Sequence, residues 1–144
     1  MPSLKVMIVD DEVPFVETIS KRLTKRDLEV VQAFSGTEAL NWLAKDTGID
    51  VIILDVKMPG MDGIETLREI KKSYPLVEVI MLTGHATVDS AIEGMRQGAY
   101  DYLMKPCNMD DLITQIAEAG AKKGSHEQKI VEATIKEIVL RRGD

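Results

Sequence analysis

The sequence predicts an α/β fold of the doubly wound kind, a five-stranded parallel sheet with crossover helices on both faces. Short apolar, β-branched runs alternate along the chain with stretches of helical period. The central run, Val51-Ile52-Ile53-Leu54, is apolar at every position, as a strand covered on both faces requires. Charged residues close three of the runs: Asp10-Asp11 the first, Asp55 the third and Lys105 the last.

The first strand runs from Leu4 to Asp10. A helix follows in which Phe15, Val16, Ile19 and Leu23 share a face, with Pro14 accommodated in its first turn. Leu28 to Phe34 reads as the second strand. Ser35 then caps a helix, with Glu38 three residues on completing a capping box and Ala39, Leu40 and Leu43 as the buried stripe. After the third strand, Met58-Pro59-Gly60-Met61-Asp62-Gly63 is turn chemistry, and Ile64, Leu67 and Ile70 resume a helical period. Val77 to Leu82 forms the fourth strand and ends in Thr83-Gly84. The next helix is expected to turn Val88, Ala91, Ile92 and Met95 inward. Tyr100 to Met104 is the fifth strand, closed by Lys105-Pro106, and Met109, Leu112, Ile113 and Ile116 mark a fifth helix.

Composition narrows the function. The 144 residues fit one domain with its own core and an appendage. A net charge of −6 and an isoelectric point near 5.0 leave no basic stripe for nucleic acid, so a protein or a cation is the expected partner. The single cysteine, Cys107, forms no internal disulfide and reads as a packing residue, and no apolar run is long enough to span a bilayer. Without a basic-then-apolar leader the chain is expected to be cytoplasmic, with no membrane partner.

In open α/β sheets, ligands bind beyond the carboxyl ends of the strands. Asp10, Asp11, Asp55, Thr83 and Lys105 all fall at such ends. Each alone has an ordinary explanation as a cap, a turn or a solvated charge. Together they do not, because converging carboxylates repel one another unless a cation joins them. Mg²⁺ suits such a set, since it takes oxygen ligands from one or two carboxylates, water and a phosphate. Asp10 and Asp11 would hold the ion. Asp55 would share it and serve as nucleophile, forming an aspartyl phosphate. Lys105 would neutralise phosphoryl oxygens, Thr83 would offer a hydroxyl to another, and Gly84 would leave room for the incoming group.

Val9-Asp10-Asp11-Glu12, Asp55 with Met58-Pro59-Gly60-Met61-Asp62-Gly63, Thr83-Gly84, and Gly98-Ala99-Tyr100-Asp101-Tyr102-Leu103-Met104-Lys105-Pro106 together resemble the receiver domain of bacterial two-component response regulators. The resemblance covers roughly residues 4 to 120 and implies a flavodoxin/CheY-like strand order of 2-1-3-4-5. It implies that a sensor histidine kinase or phosphotransfer protein donates a phosphoryl group to Asp55. Mg²⁺, for which Mn²⁺ can substitute, would be held by Asp10, Asp11, Asp55 and the backbone carbonyl of Lys57. Receivers assist this transfer and its reversal without being enzymes in the usual sense. The resemblance further implies that Thr83 follows the phosphoryl group inward while Tyr102 turns from an exposed to a buried rotamer. The face built from helix 4, strand 5 and helix 5 would then change its affinity for a downstream protein or output domain. Pro106 would follow a cis bond, and Lys57 and His85 resemble the variable positions that tune phosphoryl lifetime. Glu12 is read as an acid favoured at a helix N-terminus, and Trp42 as partly exposed.

Two other classes fit less well. A phosphatase of the haloacid dehalogenase type resembles this set in its nucleophilic Asp, its Thr or Ser and its Lys, but it carries a second Asp two residues after the first, where this chain has Lys57. A flavodoxin-like flavin binder would need a Ser/Thr-rich loop after the first strand.

The sequence divides into a receiver at residues 1–122 and a C-terminal element at 123–144. Residues 122–144 carry six Lys/Arg against four Asp/Glu, whereas residues 1–121 carry twelve against twenty. Ile130, Val131, Thr134, Ile135, Ile138 and Val139 line one face of an extra helix expected after Gly124-Ser125. That helix is read either as a linker or homodimerisation element responsive to phosphorylation, or as a segment folded back on its own domain. Ser125-His126-Glu127 faintly resembles a kinase phosphoacceptor segment, but the residues that follow do not continue it. Too few residues follow the fifth helix for a helix-turn-helix or ATPase module. The chain is therefore expected to be a stand-alone receiver or a piece of a longer regulator.

Overall fold

The computed structural model describes residues 4–142. Five parallel strands form one sheet in the order β2-β1-β3-β4-β5, with β1 at Lys5–Val9, β2 at Glu29–Ala33, β3 at Val51–Leu54, β4 at Glu78–Thr83 and β5 at Asp101–Met104. Between and after them lie α1 (Val13–Thr24), α2 (Gly36–Lys45), α3 (Gly63–Ser73), α4 (Val88–Arg96) and α5 (Met109–Arg142). The predicted fold class and strand order are both present, with strand ends displaced by a residue or so.

Strand periodicity sorts the core into two layers. Val6 and Ile8 point to one face, where Val16, Ile19 and Leu23 of α1 and Leu112, Ile116 and Ala119 of α5 cover them. Met7 and Val9 point to the other, beneath Ala39 and Leu43 of α2 and Leu67 and Ile70 of α3. Each fully buried Val, Leu, Ile or Met side chain among them contributes roughly 1.5–3 kcal/mol. The register places Val9 beside Leu54 and Thr83 beside Met104, so the carboxyl ends of β1, β3, β4 and β5 open along one edge.

Local chemistry sets the helix starts. Ser35 Oγ accepts from the Glu38 N–H at 3.1 Å, and Glu38 Oε2 accepts from the Phe34 N–H at 2.6 Å, closing the capping box one residue further out than its usual form. Thr87 and Ser90 cap α4 reciprocally. Gly63 opens α3 against the backbone, where an added Cβ would lie 2.0 Å from the Asp55 carbonyl oxygen.

Two expectations are corrected. The larger apolar residues of α4 do not turn inward: Val88, Ile92 and Met95 are exposed, Ala91 is half-buried, and only Gly94 of this helix is buried. A helix laid flat on its neighbours through a glycine presents its branched residues to solvent. The extra C-terminal helix is present, but without a break at Gly124-Ser125, because α5 runs unbroken from Met109 to Arg142. Its glycines each disfavour helix by about 1 kcal/mol relative to alanine. Side-chain ties span them: Lys123 Nζ donates to Asp50 Oδ1 at 3.2 Å and to Glu127 Oε1 at 3.0 Å, and Lys122 Nζ lies 3.7 Å from Glu78 Oε2. Among the described residues, no helix is long and apolar enough to cross a membrane.

Candidate functional site

Asp10 leaves β1 at the sheet edge, its N–H donating to the Ala33 carbonyl of β2 at 3.1 Å. Its side chain is buried, and Oδ1 accepts from the Glu12 N–H at 2.9 Å. Asp55 leaves β3 beside it, anchored by its N–H to the Val9 carbonyl at 3.0 Å, with Oδ1 accepting from the Val56 N–H at 2.9 Å. It too is buried, whereas Asp11 faces solvent. One oxygen from each of Asp10, Asp11 and Asp55 lies within 4.8 Å of the others. That spacing and the all-oxygen donor set fit a hard divalent cation.

Lys105 crosses the edge from β5. Its ammonium donates to Asp10 Oδ2 at 2.6 Å, lies 3.4 Å from Glu12 Oε1, and sits 3.9 Å from the centroid of the Phe15 ring. The bond from Lys105 to Pro106 is cis, as expected. Burial works against the charged amine, but the hydrogen bond and charge of Asp10, with Asp55 and Glu12 behind them, outweigh it and hold Lys105 above the ordinary lysine pKa. Burial also lifts the Asp10 carboxyl above the usual carboxylate range. The Lys105 and Glu12 hydrogen bonds offset only part of that rise, to which the Asp55 charge adds. With its amine held protonated, Lys105 carries a full positive charge into the acidic cluster.

Thr83 ends β4 fully buried, its Oγ1 accepting from the His85 N–H at 3.0 Å and its carbonyl accepting from the Lys105 N–H at 2.9 Å. The Lys57 and His85 side chains are exposed, Lys57 two residues beyond Asp55 in the loop before α3. Tyr102 of β5 is half-buried, and its hydroxyl lies 2.6 Å from Ser90 Oγ, away from the acidic cluster. Trp42 is partly exposed and Cys107 half-buried, where burial raises the thiol's pKa.

Sequence reading missed three contacts. Phe15 belongs to the α1 face, yet its ring also carries the Lys105 ammonium. Glu12 occupies the α1 N-cap position, but its side chain makes no cap hydrogen bond and turns to Lys105 instead. Ser90 carries no local signal of its contact with Tyr102.

The family model described as the response regulator receiver domain matches residues 6–117. The DNA-binding transcriptional regulator NtrC of Klebsiella pneumoniae is 38% identical over 112 residues, which make up 78% of this chain and 24% of that protein. The chain thus spans about a quarter of that relative. A receiver-domain crystal structure from Clostridium thermocellum aligns with a TM-score of 0.80 at 41% identity, covering 84% of this chain and 97% of that one. A CheY-like receiver from Methanospirillum hungatei aligns at 0.82 and 28% identity, covering 86% and 98%. With the family's model spanning the sheet and its acidic edge, the chain belongs to the receiver domains of two-component response regulators.

Proposed function

We propose that this chain is a phosphorylation-driven switch whose Asp55 accepts a phosphoryl group from a sensor histidine kinase or a phosphotransfer protein. The observation that carries this reading is the convergence of the Asp10, Asp11 and Asp55 carboxylates within 4.8 Å, with the Lys105 ammonium 2.6 Å from Asp10. A carboxylate oxygen of Asp55 attacks phosphorus, the bond from phosphorus to the donor's imidazole nitrogen breaks, and the electron pair leaves with the imidazole. Asp10, Asp11, Asp55 and the Lys57 carbonyl would hold Mg²⁺, or Mn²⁺ in its place, which when bound would supply positive charge against the phosphoryl oxygens. Lys105 supplies a second positive charge, and the Thr83 hydroxyl donates to a phosphoryl oxygen.

As Thr83 moves toward the site, its bond to the His85 N–H loosens and the loop before α4 shifts. Tyr102 follows toward the space behind Thr83. The face of α4, β5 and α5 then changes, and it presents Val88, Ile92, Met95 and Met104 to solvent. Such a patch suits a downstream protein or an output domain. The DNA binding of the NtrC relative is consistent with an output module outside this chain, whose acidic sequence offers no basic stripe for nucleic acid. Residues 1–122 form the cytoplasmic phosphoacceptor unit, and 123–144 the linker or pairing element.

Intact mass after incubation with Mg²⁺ and acetyl phosphate tests this. Wild type gains one hydroxylamine-labile phosphoryl group and Asp55→Asn gains none. An equal gain in both, or none in either, overturns the assignment.

A further inference from the structure

The Lys105 ammonium has three neighbours at the acidic edge. Asp10 Oδ2 accepts from it at 2.6 Å, Glu12 Oε1 lies 3.4 Å away, and the Phe15 ring lies beneath it, 3.9 Å to the centroid. The three are not equivalent. Asp10 belongs to the carboxylate set that fits a divalent cation, and a carboxylate that ligates an ion has less charge to give an ammonium. Glu12 stands on the rim with its side chain 59% exposed, so water screens its pull. Phe15 competes for no ion. It sits half-buried in the first turn of α1, packed against the core layer under that helix. A ring face attracts a cation through its quadrupole, more strongly where water is excluded, and the Lys105 side chain is only 14% exposed.

We propose that Phe15 is a positioning residue for Lys105, its ring being the seat that keeps the ammonium at the acidic edge when Asp10 is engaged by a cation. This rests on the reading of Asp55 as phosphoacceptor and extends it to a residue outside the acidic set. The base of the lysine stem is fixed, because the Lys105 N–H donates to the Thr83 carbonyl at 2.9 Å. Where the ammonium goes is therefore decided by the side chain alone. A lysine stem is flexible, and an ammonium released from Asp10 with only Glu12 left to it would swing outward into water. The ring holds it on the inner side. Its charge then stands ready as the phosphoryl group arrives, with no reorganisation needed at that moment.

Packing against the α1 layer asks only for an apolar side chain at this position, and leucine would serve it. Leucine has no ring face, and that difference sets the test.

Phe15→Leu, which removes the ring, is compared with Phe15→Tyr, which keeps it, in the 144-residue chain. The first readout needs no phosphoryl donor. Protons over a ring face are shielded by its circulating electrons, so proton–carbon correlation NMR of the Mg²⁺-loaded wild type is expected to place the Lys105 Hε resonances upfield of those of the other lysines. Phe15→Tyr is expected to keep that shift and Phe15→Leu to lose it. The second readout is the rate of labelling by acetyl phosphate at saturating Mg²⁺. Phe15→Leu is expected to slow it about two- to thirtyfold, the equivalent of a cation–π contact of ~0.5–2 kcal/mol, and Phe15→Tyr to restore it. Whatever labelling remains in Lys105→Met is expected to be indifferent to Phe15→Leu, because the ring acts through the lysine. Unshifted Lys105 resonances in the Mg²⁺-loaded wild type overturn the proposal, and they decide it even where Phe15→Leu does not fold. Labelling of Phe15→Leu at the wild-type rate overturns it too, as does an equal slowing with and without Lys105. A wild type that takes up no phosphoryl group overturns the Asp55 assignment instead, and the Lys105 resonances then judge the seat by themselves.

Discussion

The hydroxyls of Tyr102 and Ser90 lie 2.6 Å apart, joining β5 to the first turn of α4. Ser90 Oγ also accepts from the Thr87 N–H at 3.1 Å, and Thr87 Oγ1 accepts from the Ser90 N–H at 3.0 Å. Tyr102 is therefore bonded to the cap that starts α4, while the other end of the same loop is held where Thr83 accepts from His85. Ser90→Ala removes both the cap bond and the tyrosine contact and is expected to cost about 1–2 kcal/mol in urea unfolding. Tyr102→Phe removes only the shared bond and costs about 1 kcal/mol. The double variant is expected to lose about 0.5–1.5 kcal/mol less than the sum. Strict additivity would mean that the two hydroxyls do not communicate.

The acidic cluster gives a prediction about metal. Bringing Asp10, Asp11 and Asp55 within 4.8 Å costs repulsion that a divalent cation would relieve, so Mg²⁺ is expected to stabilise the folded chain only. At about ten times its dissociation constant the gain is about 1.4 kcal/mol. Asp11→Asn, which removes one exposed carboxylate from the set and with it part of the repulsion, is expected to unfold at a somewhat higher denaturant concentration than wild type without metal and to lose most of the gain with it. A full gain in that variant would place the ion elsewhere.

Most of the sheet was legible because strand runs and charged strand ends are local signals. Val51 to Leu54 reads as a central strand from four residues, and the strand-end positions of Asp10, Asp55 and Lys105 follow from where such runs stop. What was not legible depends on neighbours. The period of α4 reads as a buried stripe, yet Gly94 is the residue that packs, with Tyr102 and Met81 as the nearest atoms around it. The turn residues Gly124-Ser125 read as a helix boundary. They sit inside α5 because Lys122 and Lys123 hold that stretch to Glu78 and Asp50, residues far away in sequence. Ser90 as the partner of Tyr102 needs β5 and α4 side by side, which no local pattern shows.

Lys123 also gives a pH dependence. Burial opposes its charge, but hydrogen bonds to Glu127 and Asp50 outweigh that and raise its pKa above 10.5. A lysine raised on folding stabilises fully below its unfolded value and ceases to do so as pH climbs through its folded value. Lys123→Met is expected to cost roughly 1–2 kcal/mol at neutral pH. The gap to wild type should hold up to about pH 10 and close above it. A gap that closes on acidification instead would assign the effect to another group.

Two glycines separate close packing from open helix. At Gly63 an added Cβ meets backbone, 2.0 Å from the Asp55 carbonyl oxygen and 2.7 Å from Val56 Cα, and neither can yield without moving the loop that carries Asp55. Gly63→Ala is expected to cost about 2–3 kcal/mol and to weaken Mg²⁺ binding together with phosphorylation. At Gly124 a Cβ meets nothing within 4 Å, in the middle of α5. Gly124→Ala is expected to stabilise by about 0.5–1 kcal/mol, chiefly by restricting the unfolded chain, with phosphorylation unchanged. Urea midpoints and acetyl phosphate labelling of the two variants decide the matter. Destabilisation by Gly124→Ala would mean that α5 is interrupted there, and the rigid projection of residues 125–142 from the domain would be lost with it.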